Sequence, residues 1–198
     1  MEQENHNNKG LDIQDEILFV ALRLFADKGY FNTSLTDIAN ACGIKTTSGL
    51  YQHYKNKQMI ASALYANILD SLSVSIDDIR RRNPKPSDQL REVVSLMFRL
   101  TEEAPEIMEF LLVIKIHEFL PEEKPFVETA PFVKIIKIIQ AGIKNGEIRS
   151  IEPMQIYIYF FGIVNQTLRM ALAGNLSKEI EAYQSQTWMA AWSMIAKK

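Results

Sequence analysis

Cysteine is nearly missing from this sequence: Cys42 is the only one in 198 residues, so no intramolecular disulfide can form. Histidine is scarce as well, and His6, His53 and His117 are scattered rather than spaced as zinc or iron–sulfur ligands are. No metal and no cofactor is expected. The segment MEQENHNNKG is polar and acidic where a secretory signal is basic and then apolar, and no apolar run approaches the ~20 residues that span a bilayer. The expectation is a soluble, cytoplasmic protein with no membrane partner. A Cys or Ser paired with His and an acid, a phosphate-cradling glycine loop and a metal motif are all missing too, so an enzyme is not expected. Charge of one sign is also lacking: the net charge of −2 gives no global attraction to nucleic acid, and any such binding has to come from a local patch.

What is present is apolar and helical. A hydrophobic content of 47% supports a substantial core, and the periodicity stays near 3.6 along the chain, with no strand-like alternation, no internal repeat and no low-complexity tract. Residues 1–10 read as a disordered tail. Asp12 then caps a first helix, in which Ile17, Leu18, Ala21, Leu24 and Phe25 form one stripe and Gly29 is the stop. Ser34 with Asp37 three residues later has the form of a capping box, opening a short second helix whose Leu35, Ile38, Ala39 and Cys42 face inward. Asn56 caps a long helix over 57–82, which ends at Arg80, Arg81 and Arg82 before the prolines of NPKPSD. Further helices are predicted over 88–103, 105–119, 126–145, 153–173 and 178–196. The result is an all-α fold of about nine helices: a head at 11–56, a linking helix at 57–82 and a larger body at 83–198.

The local patch lies in GIKTTSGLYQHYKNK, residues 43–57, which holds two tyrosines, a histidine and three lysines but no acid. Short helix, glycine, a few polar residues and then SGLYQHYK is the punctuation of a helix-turn-helix. Over Ser48–Lys55, a rotation of ~100° per residue puts Ser48, Tyr51, Gln52 and Lys55 on one side and Leu50 and Tyr54 on the other. One side packs, and the other offers hydrogen-bond donors. Lys45, Lys55 and Lys57 supply charge for phosphates, and Gln52 has the amide that pairs bidentately with adenine. Such geometry also occurs as pure structure, and His53 serves equally as a phosphate donor or as packing.

Read together, ILFVALRLFADKGYFNTSLTDIANACGI, the LYQHYKNK after it and the helix start QMIASAL resemble the N-terminal domain of the tetracycline-repressor (TetR) family of transcriptional regulators. The resemblance covers roughly residues 15–65; beyond it only GIKNGEIR and the helical layout are family-like. It implies a homodimer whose subunits each carry a three-helix DNA-binding head on a helical ligand-binding body. It also implies that the third helix enters the major groove, that Tyr51 and Lys57 meet the DNA backbone, and that Thr33 and Thr36 contact phosphate. Between Ile44 and Leu50 stand the five residues KTTSG, where the family usually has four, and the turn-forming nature of these residues favours absorption in the turn. The candidate DNA-binding residues are Thr33, Thr36, Lys45, Thr46, Thr47, Ser48, Tyr51, Gln52, His53, Lys55 and Lys57.

The expected function is therefore a ligand-responsive repressor on a palindromic operator, released by a small apolar or amphipathic effector. An architectural or nucleoid-associated DNA-binding protein without an effector is the alternative. For the effector site the candidates are Met97, Phe110, Ile114, His117, Phe126, Tyr157, Phe160, Gln166 and Arg169, set against the simpler reading that most body aromatics are core. Asn165, Gln166 and Arg169 are polar groups on an apolar helix and need partners, in a ligand or in a second subunit. Gly162, Ile163, Met170, Trp188, Trp192 and Ile195 suit a dimer interface between the last two helices, which the family resemblance implies as a four-helix bundle. Cys42 reads as a buried, unreactive thiol.

Overall fold

The computed structural model describes residues 13–198, so the expected tail at 1–10 and the Asp12 cap lie outside the described residues. Nine α-helices run among the described residues: α1 (Ile13–Lys28), α2 (Leu35–Ala41), α3 (Thr47–Tyr51), α4 (Lys57–Arg82), α5 (Pro86–Glu103), α6 (Pro105–Leu112), α7 (Ala130–Lys144), α8 (Pro153–Leu172) and α9 (Glu181–Ile195). Single 3-10 turns stand at Ile116–Glu118 and Phe126–Glu128. No strand occurs among the described residues; Ile148 and Ala196 form one isolated bridge. The fold is all-α, as the periodicity requires.

Two compact units divide within α4, one ending at Leu64 and the other running from Tyr65 to Lys198. In the first, α1 buries Ile17, Leu18, Ala21, Leu22 and Phe25, all on one face at helical spacing. Ile38 and Ala39 of α2, Leu50 of α3, and Ile60, Ala61 and Leu64 of α4 complete that core. Full burial of each large side chain contributes about 1.5–3 kcal/mol before entropy is counted. The second unit centres on Leu90, Phe98, Ile139, Phe160, Val164 and Ile195, all nearly or wholly inaccessible, and α8 packs along α9.

Three expectations change. The helix predicted over 105–119 ends at Leu112, because Val113, Ile114 and Ile116 are β-branched residues of low helix propensity, and the chain tightens into a 3-10 turn instead. The one predicted over 126–145 starts at Ala130, where Pro131 fits the first turn and Thr129 stays extended. Finally, α4 is by length and composition alone apolar enough to cross a bilayer, contrary to the reading that no such run exists. Its apolar residues are spent on the protein interior, with Ile60, Ala61 and Leu64 buried in the first unit and Tyr65, Ile68, Ile76 and Ile79 in the second.

Candidate nucleic-acid interface and body cavity

The head is held by reciprocal caps. Ser34 Oγ accepts from the Asp37 N–H at 3.0 Å, while the Asp37 carboxylate accepts from the Ser34 hydroxyl at 2.6 Å and its N–H at 2.8 Å. Those bonds, the hydroxyl's first, hold the Asp37 carboxyl below the usual carboxylate range. After α2, Gly43 turns the chain at φ +68, a conformation that costs glycine little. Thr46 is the extended N-cap of α3 and stands four residues before Leu50. Lys45 and Thr46 therefore lie before the helix, and Thr47, Ser48 and Gly49 within its first turn.

Leu50 is fully buried while Tyr51 is 52% exposed, which separates the packing side of α3 from its open side. The helix expected over Ser48–Lys55 ends at Tyr51, with Gln52 as its C-cap, so Lys55 lies beyond it rather than on its face. Ser48 and Gln52 are exposed beside Tyr51, and Lys55, Thr36, Lys45 and Thr46 are exposed as well; Thr47 and His53 are half-buried. Two expected phosphate contacts are turned inward instead. Thr33 is buried, and its hydroxyl donates to the Gly29 carbonyl at 2.9 Å and the Leu24 carbonyl at 3.2 Å. The Lys57 ammonium donates to the carbonyls of Tyr30 at 2.6 Å and Thr33 at 2.7 Å and lies 4.2 Å from the Tyr30 ring centroid. In the turn between α1 and α2 the Tyr30 carbonyl also accepts from the Thr33 N–H at 3.3 Å, and the first residue of α4 adds a donor to both carbonyls. Burial pushes the Lys57 ammonium below its ordinary pKa. Cys42 is half-buried at the end of α2 rather than fully buried; burial first, and then Glu16, hold its thiol above the ordinary range.

In the second unit a cavity of about 270 Å³ is enclosed by residues of α4 to α8 and the Phe126 turn. Its walls are mainly aliphatic or thioether, from Ile76, Met97, Met108 and Ile135 among others. Of the expected effector contacts, Met97, Phe126, Tyr157 and Arg169 line it. The others do not. Phe110 and Phe160 are fully buried and packed on Tyr65 and on Trp188 respectively. The end of α6 at Leu112 carries Ile114 and His117 away, leaving His117 exposed, and Gln166 is exposed one residue round the helix from Asn165. Missed as contacts were Phe161 and Asn165, although Tyr157, Phe161, Asn165 and Arg169 follow at intervals of four and share a helical stripe. Burial pushes the Tyr157 phenol up, with the Asn165 amide beside it acting the other way.

The expected dimer residues also divide. Trp188 and Ile195 belong to the core, and Trp192 stacks on Trp188 with ring centroids 5.4 Å apart. Gly162 and Met170 are exposed, and Ile163 is half-buried. Ile158, Met189 and Met194 add exposed apolar surface to α8 and α9, at 57%, 52% and 43% exposure.

A capped helix-turn-helix with a donor-rich open face, in an all-helical chain, defines a DNA-binding regulator. Residues 17–64 match the family described as bacterial regulatory proteins, tetR family, and the head they form is that of a TetR-family transcriptional regulator. It is 29% identical over 140 residues to the HTH-type transcriptional repressor KstR2 of Mycolicibacterium smegmatis, a stretch covering 69% of this chain and 67% of that one. Regulators it matches are spanned over between 25% and 67% of their length. The fold is similar to that of a TetR family transcription regulator from Marinobacter aquaeolei VT8, at a TM-score of 0.75 and 20% identity over 94% of this chain and 96% of that one. It also resembles the transcriptional regulator FadR from Bacillus subtilis in complex with stearoyl-CoA, at a TM-score of 0.76 and 18% identity over 91% of this chain and 98% of that one.

Proposed function

We propose that this TetR-family repressor binds a palindromic operator as a homodimer, in the cytoplasm, and is released by an apolar or amphipathic effector held in the body cavity. The observation that carries the reading is the open face of α3: Ser48, Tyr51 and the C-cap Gln52 stand exposed while Leu50 is buried, and Lys55 is exposed just beyond the helix. Between Asp37 and Asp70 the sequence has no acid to repel phosphate. Lys45, Lys55, Thr36 and Tyr51 position the head on the backbone, while Gln52 reads a base edge. Thr33 and Lys57 serve this face from behind, by fixing the turn between α1 and α2.

The lining of the cavity supports an apolar effector. Leu72 and Ile76 of α4 are part of that lining, and the same helix begins in the head unit. An effector that favours one setting of α4 by a few kcal/mol changes operator occupancy through it. KstR2 of Mycobacterium tuberculosis is described as a ketosteroid regulator, and FadR was solved with stearoyl-CoA, so apolar or amphipathic molecules figure in the descriptions of both fold relatives.

Selection of bound fragments from random DNA tests the reading. An inverted repeat is expected, with half-sites about 34–36 Å apart or a little more, and Gln52→Ala is expected to relax preference at one base position at ~1–3 kcal/mol. Selection that enriches no inverted repeat overturns it, and operator affinity indifferent to every ligand that stabilises the body favours the architectural alternative.

A further inference from the structure

The cavity carries one unmet demand. Among the described residues, the only buried side-chain polar atom without a hydrogen-bond partner is Oδ1 of Asn165, and Asn165 lines the cavity. A buried acceptor left unpaired is costly, and native proteins retain few of them without a use. The rest of the lining is aliphatic, aromatic or thioether apart from Tyr157, whose phenol lies beside the Asn165 amide, and Arg169, and neither of these bonds the oxygen.

Position along α8 orders the chemistry. Tyr157, Phe161, Asn165 and Arg169 recur every four residues, so they wind along one face with a rise of about 6 Å per step. Tyr157 is half-buried; from Phe161 onward exposure rises, Phe161 being buried, Asn165 half-buried with its oxygen covered, and Arg169 exposed. No hydrogen bond or ion pair engages the Arg169 guanidinium among the described residues. The stripe therefore runs from aromatic through amide to guanidinium, from inside to rim.

Resting on the effector reading above, we infer that Asn165 is the specificity-determining residue of this cavity and selects an amphipathic acid bearing a hydroxyl group. The apolar end lies against Phe161, the hydroxyl donates to Asn165 Oδ1, and the carboxylate meets Arg169 at the rim. A cavity of about 270 Å³ takes a small amphiphile or the buried part of a larger one. A medium-length chain meets this size.

Decanoic acid, a set of its singly hydroxylated counterparts and decanol are the probes, titrated by calorimetry and thermal shift against the full chain, Asn165→Leu and Arg169→Gln. In the unmodified protein, at least one hydroxylated acid is expected to bind about tenfold or more tighter than decanoic acid, because a site built for a hydroxyl rejects the ligand that leaves its acceptor unpaired. Asn165→Leu reverses that order, and Arg169→Gln reduces the preference for acids over decanol several-fold. Equal affinity for the hydroxylated and plain acids, or a preference that survives Asn165→Leu, overturns the inference and leaves the effector reading standing. The comparison within the unmodified protein decides this even if a variant folds poorly. If none of the probes binds while a different apolar ligand fills the cavity and releases operator, the inference alone fails. If no apolar ligand binds the body at all, the effector reading fails with it.

Discussion

Two lysines two residues apart in sequence perform different tasks. Lys55 is exposed beyond the end of α3, whereas the Lys57 ammonium is bound to two carbonyls and a ring face. Lys55→Ala is expected to leave thermal stability unchanged and to lower the slope of log affinity against log salt by about one unit on any DNA sequence. Lys57→Met keeps the apolar stem but removes the ammonium donor from the Thr33 carbonyl and leaves the Tyr30 carbonyl with the Thr33 N–H at 3.3 Å. It is expected to cost about 1–3 kcal/mol of stability and to leave the salt slope of the still-folded protein unchanged. Thermal melts and salt titrations of both variants check the contrast; a salt slope altered by Lys57→Met returns that residue to the DNA. Sequence alone gives no sign of this division, because a lysine that satisfies backbone carbonyls and one that awaits phosphate have the same chemistry. The same holds for Thr33, whose hydroxyl turns toward Leu24 and Gly29 instead of outward.

At the level of elements, the head was legible because its signals are local. The Ser34–Asp37 box, the Asn56 cap that accepts from the Met59 N–H, and the alternation of Leu50 with Tyr51 all act within a few residues. The cavity was half legible: Met97, Phe126, Tyr157 and Arg169 were foreseen, but whether an aromatic such as Phe110 or Phe160 faces core or cavity depends on which helices surround it. The break after Leu112 removed two further candidates by rerouting the chain. Within α3, Gly49 sets local propensity against packing. Alanine there is favoured by about 0.8–1.0 kcal/mol in a helix, yet its Cβ would come within 2.8 Å of Ile44 Cγ2. That methyl sits on a stiff β-branched side chain and has little freedom to withdraw, and overpacking of this kind costs about 1–3 kcal/mol. Gly49→Ala is therefore expected to give no gain, and a net loss of about 1 kcal/mol, in denaturant unfolding of the head. A clear gain would mean that the turn around Ile44 relaxes freely.

For the whole molecule, the assembly is the quantity to test, and the choice of residue decides whether the test is clean. Trp192 stacks on the buried Trp188, over which the Arg91 guanidinium lies at 4.9 Å, so a charge introduced at Trp192 disturbs the subunit's own core. Gly162 is different. It is an exposed position of α8, and a Cβ added there meets nothing within 4 Å in the subunit. Arginine in place of glycine at an exposed helical position improves helix propensity by close to 1 kcal/mol. Gly162→Arg is thus expected to leave the isolated subunit as stable or slightly more so. In the proposed dimer, two-fold symmetry introduces the arginine twice into a face of α8 that also exposes Ile158, four residues before Gly162. Sedimentation is expected to show monomers, circular dichroism an unchanged helical content, and operator binding a loss far beyond tenfold, since a single five-residue α3 makes too few contacts to hold DNA alone. An intact dimer in this variant places the interface on another face. Monomers that still bind the full operator with undiminished affinity remove the need for the dimer altogether.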